Sequence, residues 1–366
     1  MRVVVLGGYG NFGGTIAREL AADPAFDVVV AGRDRARATA FAERIHASGE
    51  TIDANDPRLA DRLRECSADL VISTAGPFQA QDYRIAEAAI SAGAHYFDIA
   101  DGRAFVCGIT SLDKPAREAS RVVVSGASSV PAFSCAVVDH LAREFRAIDA
   151  IDIGISASEK TPGMATLEAV LGYCGRPFLQ RRDGRWVATH GWQRLRRHRF
   201  SNPPMSRWLA ACDVPDLELL PARHPGVAEV TFSAGVELPV VMAGLWILSW
   251  MVRARLIGDA ASHAALLGRA ARLLERFGTG RSAMFVRVIG RGIDDLPKER
   301  SWELLARNND GVNVPCMAAV ALARKLARGE LAIGARPCVG MLDLDEYLSE
   351  LRGLAIATSV SFPSSP

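Results

Sequence analysis

No two cysteines stand in CxxC spacing in this chain; its seven lie apart at 66, 107, 135, 174, 212, 316 and 338. An odd, scattered set excludes a disulfide framework and a zinc site, and fits reduced thiols in the cytoplasm. A surplus of one charge is missing as well. The 43 Lys and Arg face 41 Asp and Glu, so no global field argues for nucleic acid. No His/Cys/Asp spacing suits a metal ion, and no GxSxG or Cys–His arrangement offers a covalent nucleophile. The first residues read as a strand, without the basic and apolar segments of a signal peptide. Nor is there an apolar run long enough to span a membrane, which takes about 20 residues. The uncharged stretch VVMAGLWILSWMV at 240–252 falls short of that. A buried or interface helix is expected there. The alternative is shallow membrane association through its two Trp, with Arg253 and Arg255 just beyond.

What is present is a β/α rhythm. The runs RVVVLG (2–7), FDVVVAG (26–32), ETIDA (50–54), ADLVISTAG (68–76), HYFDIAD (95–101) and RVVVSGA (121–127) read as strands. Helical segments near 14–22, 35–47, 57–66, 82–93 and from about 115 separate them. Near-continuous apolar strands joined by such helices predict an α/β fold built on a parallel, doubly wound sheet. After Ser129 the beat is lost. A helix at 132–146 leads into IDIGIS (151–156), and RRDGRWVATHG (181–191) carries an Asp-Gly turn suited to a hairpin. Strands at 227–236 and 283–292 and helices near 240–255 and 259–277 suggest a second, α+β domain. A strong helix at 314–331 follows, and the residues from 353 to 366 read as a flexible tail.

The first strand runs into Gly8-Tyr9-Gly10-Asn11-Phe12-Gly13, a GxGxxG turn that opens a helix. Gly8 permits the tight turn, Gly10 lets backbone approach a pyrophosphate, and Gly13 allows close helix–strand packing. The helix amino end then offers N–H groups and positive dipole to phosphate. In NAD sites a carboxylate about 20 residues on binds the ribose 2′-hydroxyl. Here that place holds Arg33, after Gly32. A guanidinium pairs with a 2′-phosphate where a carboxylate repels it, so NADP(H) is the expected cofactor. Gly32 leaves room, and Arg35 or Arg37 add positive field. Asp34 leaves an alternative open: turned inward, it would serve a 2′-hydroxyl instead. The missing acid also argues against a methyltransferase.

The segments GGYGNFGGTIAREL, AGRDRARA, ISTAGPFQAQDYRIAEAAISAGAHYFDIADG and SGASSVPAFSCAVVDHL occur in this order. Together they resemble the saccharopine dehydrogenase-like NADP-binding oxidoreductase family over the N-terminal part of the chain. The later VTFSAGVELP and NNDGVNVPCMAAVALARKL are similar to bacterial members, more loosely. The resemblance implies a Rossmann domain at 1–130, completed by 312–352, and an inserted α+β substrate or dimerisation domain at 131–311, often in a homodimer. It implies NADP(H) at Gly8, Gly10, Asn11, Phe12 and Gly13, with Arg33 on the adenosine side. Asp53 and Ala54 would flank the adenine, and Ala75-Gly76-Pro77-Phe78 would lie beside the cofactor. It does not imply saccharopine as the substrate.

Ligands of such sheets bind outside the carboxyl ends of the strands. Hydride transfer there needs a proton donor within hydrogen-bond reach of the reacting group. Asp101 and His95 are the candidates, with Asp98 behind them; capping or backbone binding is the other reading of both aspartates. Ser128-Ser129-Val130-Pro131 could hold a substrate carboxylate, or Ser129 could simply cap a helix. The arginine-rich stretch at 181–200 reads as a solvated hairpin flank or as a surface for an acidic ligand. The expected function is an NADP(H)-dependent oxidoreductase acting on a C–N, C–O or C=C bond of a small molecule. A non-catalytic NADPH sensor and a membrane-surface lipid reductase are the alternatives.

Overall fold

A computed structural model describes every residue except 80, 161–162, 202–203 and 362–366. The chain divides into two compact units. The first comprises Met1–Phe133 and Asn313–Glu350, the second Ser134–Val312 and the chain from Leu351.

The first unit is a Rossmann-type α/β layer structure. Its strands β1 (Arg2–Leu6), β2 (Asp27–Gly32), β3 (Ser48–Thr51), β4 (Leu70–Ser73), β5 (His95–Asp98) and β6 (Val122–Ser125) alternate with helices. Of these, α1 is Asn11–Ala21, α2 Arg35–Arg44, α3 Leu59–Glu65, α4 Arg84–Ser91, α5 Arg103–Gly108 and α6 Asp113–Glu118. The sheet order is β6-β5-β4-β1-β2-β3, with a seventh parallel strand, Gly334–Pro337, outside β6. Val3, Val4 and Val5 are wholly buried, as are Val71 and Ile72. These strands show no polar alternation because helices cover both faces, each buried Val or Leu contributing roughly 1.5–3 kcal/mol. The third strand begins earlier than the sequence predicts, at Ser48 rather than Glu50, because α2 ends at Arg44.

The order reverses between β4 and β1, and that switch point sets the ligand edge. Leu6 stands opposite Ala31 on one side and Ser73 on the other. The turns after β1, β2 and β4 therefore leave the sheet at one level. The helix Val314–Ala327, buried from Cys316 to Ala323, packs within this unit against α1. There Thr15 Oγ1 lies 3.2 Å from Asn313 Oδ1, and the Cys316 thiol donates to Phe12 O at 3.5 Å.

The second unit is built on a mixed nine-stranded sheet. Phe145–Ala157 and Glu229–Val236 run parallel at its centre, and Ser282–Gly292 and Pro297–Ala306 continue it antiparallel. Met205–Ala211 and Arg196–Phe200 extend the other side. The hairpin Pro177–Arg182/Arg185–His190 turns on Asp183 and Gly184, both at positive φ (48° and 73°), as an Asp-Gly turn requires.

Two expectations change here. Where a flexible tail was expected over 353–366, Ile356–Ser361 forms a strand paired with Pro297–Ala306; residues 362–366 lie outside the described ones. Alternating β-branched residues at 356, 358 and 360 account for it. The helix expected at 132–146 is shorter: a π-type turn takes Ser129–Phe133 and the helix spans Ser134–Ala142. Among the described residues no helix is long and apolar enough to cross a membrane.

Candidate functional site

The turn after β1 is built by close backbone contacts. Gly7 (φ 78°) and Gly8 donate their N–H groups to Ala31 O at 2.9 and 3.1 Å, tying the turn to β2. A Cβ on Gly13 would stand 2.3 Å from Gly7 O, so no other residue fits there. A Cβ on Gly10 would meet only Gly7 O, at 3.1 Å, which leaves its outer side open. Helix α1 starts at Asn11 with no side-chain cap and no acidic residue in its first turn. An open, positively polarised helix end behind a glycine cradle fits the pyrophosphate of a dinucleotide.

At the end of β2 the open question about Asp34 has an answer. Its carboxylate caps α2, accepting from Arg37 N–H at 3.1 Å. Its own N–H donates to Tyr9 Oη at 3.1 Å. The Tyr9 ring lies against Gly32, where a Cβ would come within 2.3 Å of it. The Arg37 guanidinium covers the ring at 4.7 Å from its centroid. Arg33 and Arg35 are exposed, with no hydrogen bond or ion pair among the described residues. Ile52 N–H donates to Gly32 O at 3.1 Å, which carries exposed Asp53 and half-buried Ala54 to the same edge.

The turn after β4 forms the other wall. Thr74 donates both N–H and Oγ1 to Leu6 O, at 2.9 and 2.8 Å. Gln81 holds Ala75 O at 2.6 Å, and the Gly76–Pro77 bond is cis. Phe78 is buried against Phe105, ring centroids 5.5 Å apart. Asp101, half-buried in the turn after β5, accepts from Gln79 Nε2 at 3.1 Å. Burial raises the Asp101 carboxyl above its ordinary value, against the Gln79 hydrogen bond that lowers it.

The other two proton-carrier candidates have different surroundings. Asp98 is wholly buried, and its Oδ1 accepts from Ala100 N–H (3.0 Å), Ser125 Oγ (2.9 Å) and Gly126 N–H (2.9 Å). It ties the end of β5 to the turn after β6; burial outweighs these bonds and pushes its carboxyl up to about 6. His95 stands at the opposite edge of the sheet. It opens β5, opposite Leu70, which pairs with Val3 at the start of β1. Its Nδ1 accepts from Val122 N–H at 2.9 Å, and burial, with Arg121 nearby, lowers its pKa to about 4. These hydrogen bonds fit the other reading of Asp98, that it binds backbone amides, and the place of His95 is that of a strand-start histidine. Tyr9 and Gln79 escaped the sequence reading. Their signal was an aromatic inside the glycine turn and an amide in an apolar strand-end segment.

The second unit pairs two arginines of the arginine-rich stretch with carboxylates, Arg182 with Glu229 and Arg196 with Asp152. Arg196 makes a two-pronged pair with Asp152 at 2.7 and 2.6 Å, and His198 stacks on Phe285 at 3.8 Å. Arg197 and Arg199 stay exposed.

A glycine cradle at the switch point of a parallel six-strand core with one added strand defines a Rossmann-type dinucleotide-binding unit. Residues 3–125 match the family model described as the saccharopine dehydrogenase NADP binding domain, so this segment is similar to the NADP-binding domains of that family. No curated protein matches the chain. Among solved structures, a saccharopine dehydrogenase (L-Glu forming) from Saccharomyces cerevisiae is similar to it. That match has 14% identity and a TM-score of 0.66, covering 98% of this chain and 99% of the other. A homospermidine synthase from Legionella pneumophila, solved with NAD, is similar at 9% identity and TM-score 0.62, covering 99% of this chain and 91% of that one. At such identities the likeness is one of fold.

Proposed function

We propose that this protein is an NADPH-dependent oxidoreductase that moves a hydride to or from a C–N, C–O or C=C bond of a small molecule. The observation that carries the reading is a protonatable group, Asp101 held by Gln79, on the same sheet edge as the glycine cradle. Gly8, Gly10, Asn11, Phe12 and Gly13 would hold the pyrophosphate. Arg33, with Gly32, Asp53 and Ala54, would hold the adenosine end. Ala75, Gly76, Pro77 and Phe78 would form the wall beside the nicotinamide. The bound cofactor supplies the hydride.

Asp101 holds the proton at its carboxyl and gives it to the developing amine or oxyanion, or takes it in the reverse direction. Gln79 orients that carboxyl, and its burial keeps the protonated form available closer to neutral pH. Asp98 fixes the turns on either side, and Phe78 excludes water from the same wall.

The experiment is NADPH consumption across a panel of imines, ketones and enoyl compounds, with the Asp101→Asn variant alongside. Turnover in the parent and its loss in the variant, with NADPH affinity unchanged, supports the reading. Tight NADPH binding without turnover of any panel member would make the protein a cofactor-binding sensor.

A further inference from the structure

The adenosine-side residues suggest a more specific arrangement than one arginine at the end of β2. This inference rests on the cofactor reading above. Between Tyr9 of the glycine turn and one face of α2 runs a groove of about 280 Å³ lined by Tyr9, Arg37, Ala40, Phe41 and Arg44. Both aromatic rings in it carry guanidinium groups. Arg37 covers Tyr9 at 4.7 Å, and Arg44 covers Phe41 at 5.2 Å. Arg37 and Arg44 stand seven residues apart on α2, two turns along one face. Arg33, by contrast, extends free into solvent.

A guanidinium fixed over a ring has lost part of its rotamer freedom before any ligand arrives, so it binds phosphate at lower entropic cost than a free one. Tyr9 is itself fixed at three points: its ring on Gly32, its hydroxyl accepting from Asp34 N–H, and Arg37 on its outer face. Asp34 caps α2 through Arg37 N–H, which keeps the carboxylate engaged with the helix backbone.

We propose that this groove is the site of the cofactor's ribose 2′-phosphate, that Arg37 is its principal cation, and that Tyr9 is the positioning residue that braces Arg37. Gly32 then serves Tyr9 first: any side chain there would displace the ring and with it the brace.

The test is binding, read by fluorescence for NADPH and NADH and by calorimetry for 2′,5′-ADP and 5′-AMP as probes of the adenosine end. In the unaltered protein NADPH and 2′,5′-ADP should bind more tightly than NADH and 5′-AMP. Arg37→Ala should cost NADPH and 2′,5′-ADP roughly 10- to 100-fold in affinity, the range of a charge-assisted hydrogen bond, and leave NADH and 5′-AMP unchanged. Tyr9→Ala and Gly32→Ala should give the same selective loss, Tyr9→Phe should retain most of the affinity, and Tyr9→Ala with Arg37→Ala should lose no more than Arg37→Ala alone. Full NADPH affinity in Arg37→Ala, or losses that multiply in the double variant, would overturn the inference while leaving the cofactor reading intact. A Tyr9→Ala variant weakened equally toward NADPH and NADH would also overturn it. Failure of the unaltered protein to bind either dinucleotide would overturn both.

Discussion

Three side chains along one strand and its exit, His95, Asp98 and Asp101, differ in chemistry because of where the backbone leaves them. Asp101 stands past the strand end with one amide partner, and its raised pKa suits a proton donor. Reduction needs its protonated form, so the reductive rate should fall as pH rises through that raised pKa. In Asp101→Asn this limb of the pH–rate profile should vanish and kcat should drop by roughly 10²–10⁴, the usual worth of a positioned acid. An unaltered limb would assign the proton to another group. The shifted pKa values of Asp98 and His95 bear on stability, with opposite signs. The native Asp98, at about 6, keeps a proton that an unfolded carboxyl has released above about 3.9, so its contribution falls as pH rises from about 4 to 6. The native His95, at about 4, refuses a proton that an unfolded imidazole accepts below about 6.5, so its contribution rises over nearly the same window. In the parent the two trends oppose each other. Asp98→Asn removes one, and its urea midpoint should climb more steeply between pH 4.5 and 6 than the parent's; parallel slopes would refute this.

Elements with an unmixed period were legible in the sequence, and those with a mixed one were not. The runs RVVVL and LVIS are apolar throughout because both faces are covered, and they read directly as strands. Arg196–Phe200, sequence RRHRF, reads as a charged flank, yet it is a strand. Two of its three inward positions are polar, Arg196 paired with Asp152 and His198 stacked on the Phe285 ring, partners more than 40 residues away in sequence, and only Phe200 is apolar. At the candidate site the glycines were legible for the same reason as the strands: their spacing is local. Tyr9 lying on Gly32, and Gln79 reaching Asp101, depend on turns meeting across the sheet edge, which spacing does not encode. The helix Pro239–Arg253 was expected to be buried or at an interface. Met242, Ser249 and Val252 are buried, while Val240, Ile247, Trp250 and Met251 are exposed, in a pattern close to the helical period. Such a contiguous apolar stripe is expected to be covered. A second copy of the chain is the occupant we expect, and Ile247→Glu should shift sedimentation from dimer to monomer at micromolar concentration. A parent that sediments as a monomer and is pulled down by anionic vesicles would favour the membrane-surface reading instead.

Each of the two units has its own sheet and its own buried clusters, so each can melt as a cooperative body. The first unit is not contiguous in sequence. Its seventh strand and the helix Val314–Ala327 come from the far end of the chain, and that helix packs on α1, the helix whose amino end closes the glycine cradle. A ligand in the cradle is therefore linked to the folding of Met1–Phe133 and Asn313–Glu350 together. Binding to the native form alone stabilises by RT ln(1 + [L]/Kd), about 2.7 kcal/mol at a hundredfold excess over Kd. For a unit of this size that corresponds to a rise on the order of 5–10 °C in its melting temperature. Scanning calorimetry should resolve two transitions, of which NADPH raises one by this amount and leaves the other in place. NADH at the same concentration should raise it less, since it lacks the phosphate for which Arg33, just after β2, and the arginines of α2 are expected to select. The same shift with both dinucleotides would mean that the cradle alone determines binding and that these arginines do not discriminate.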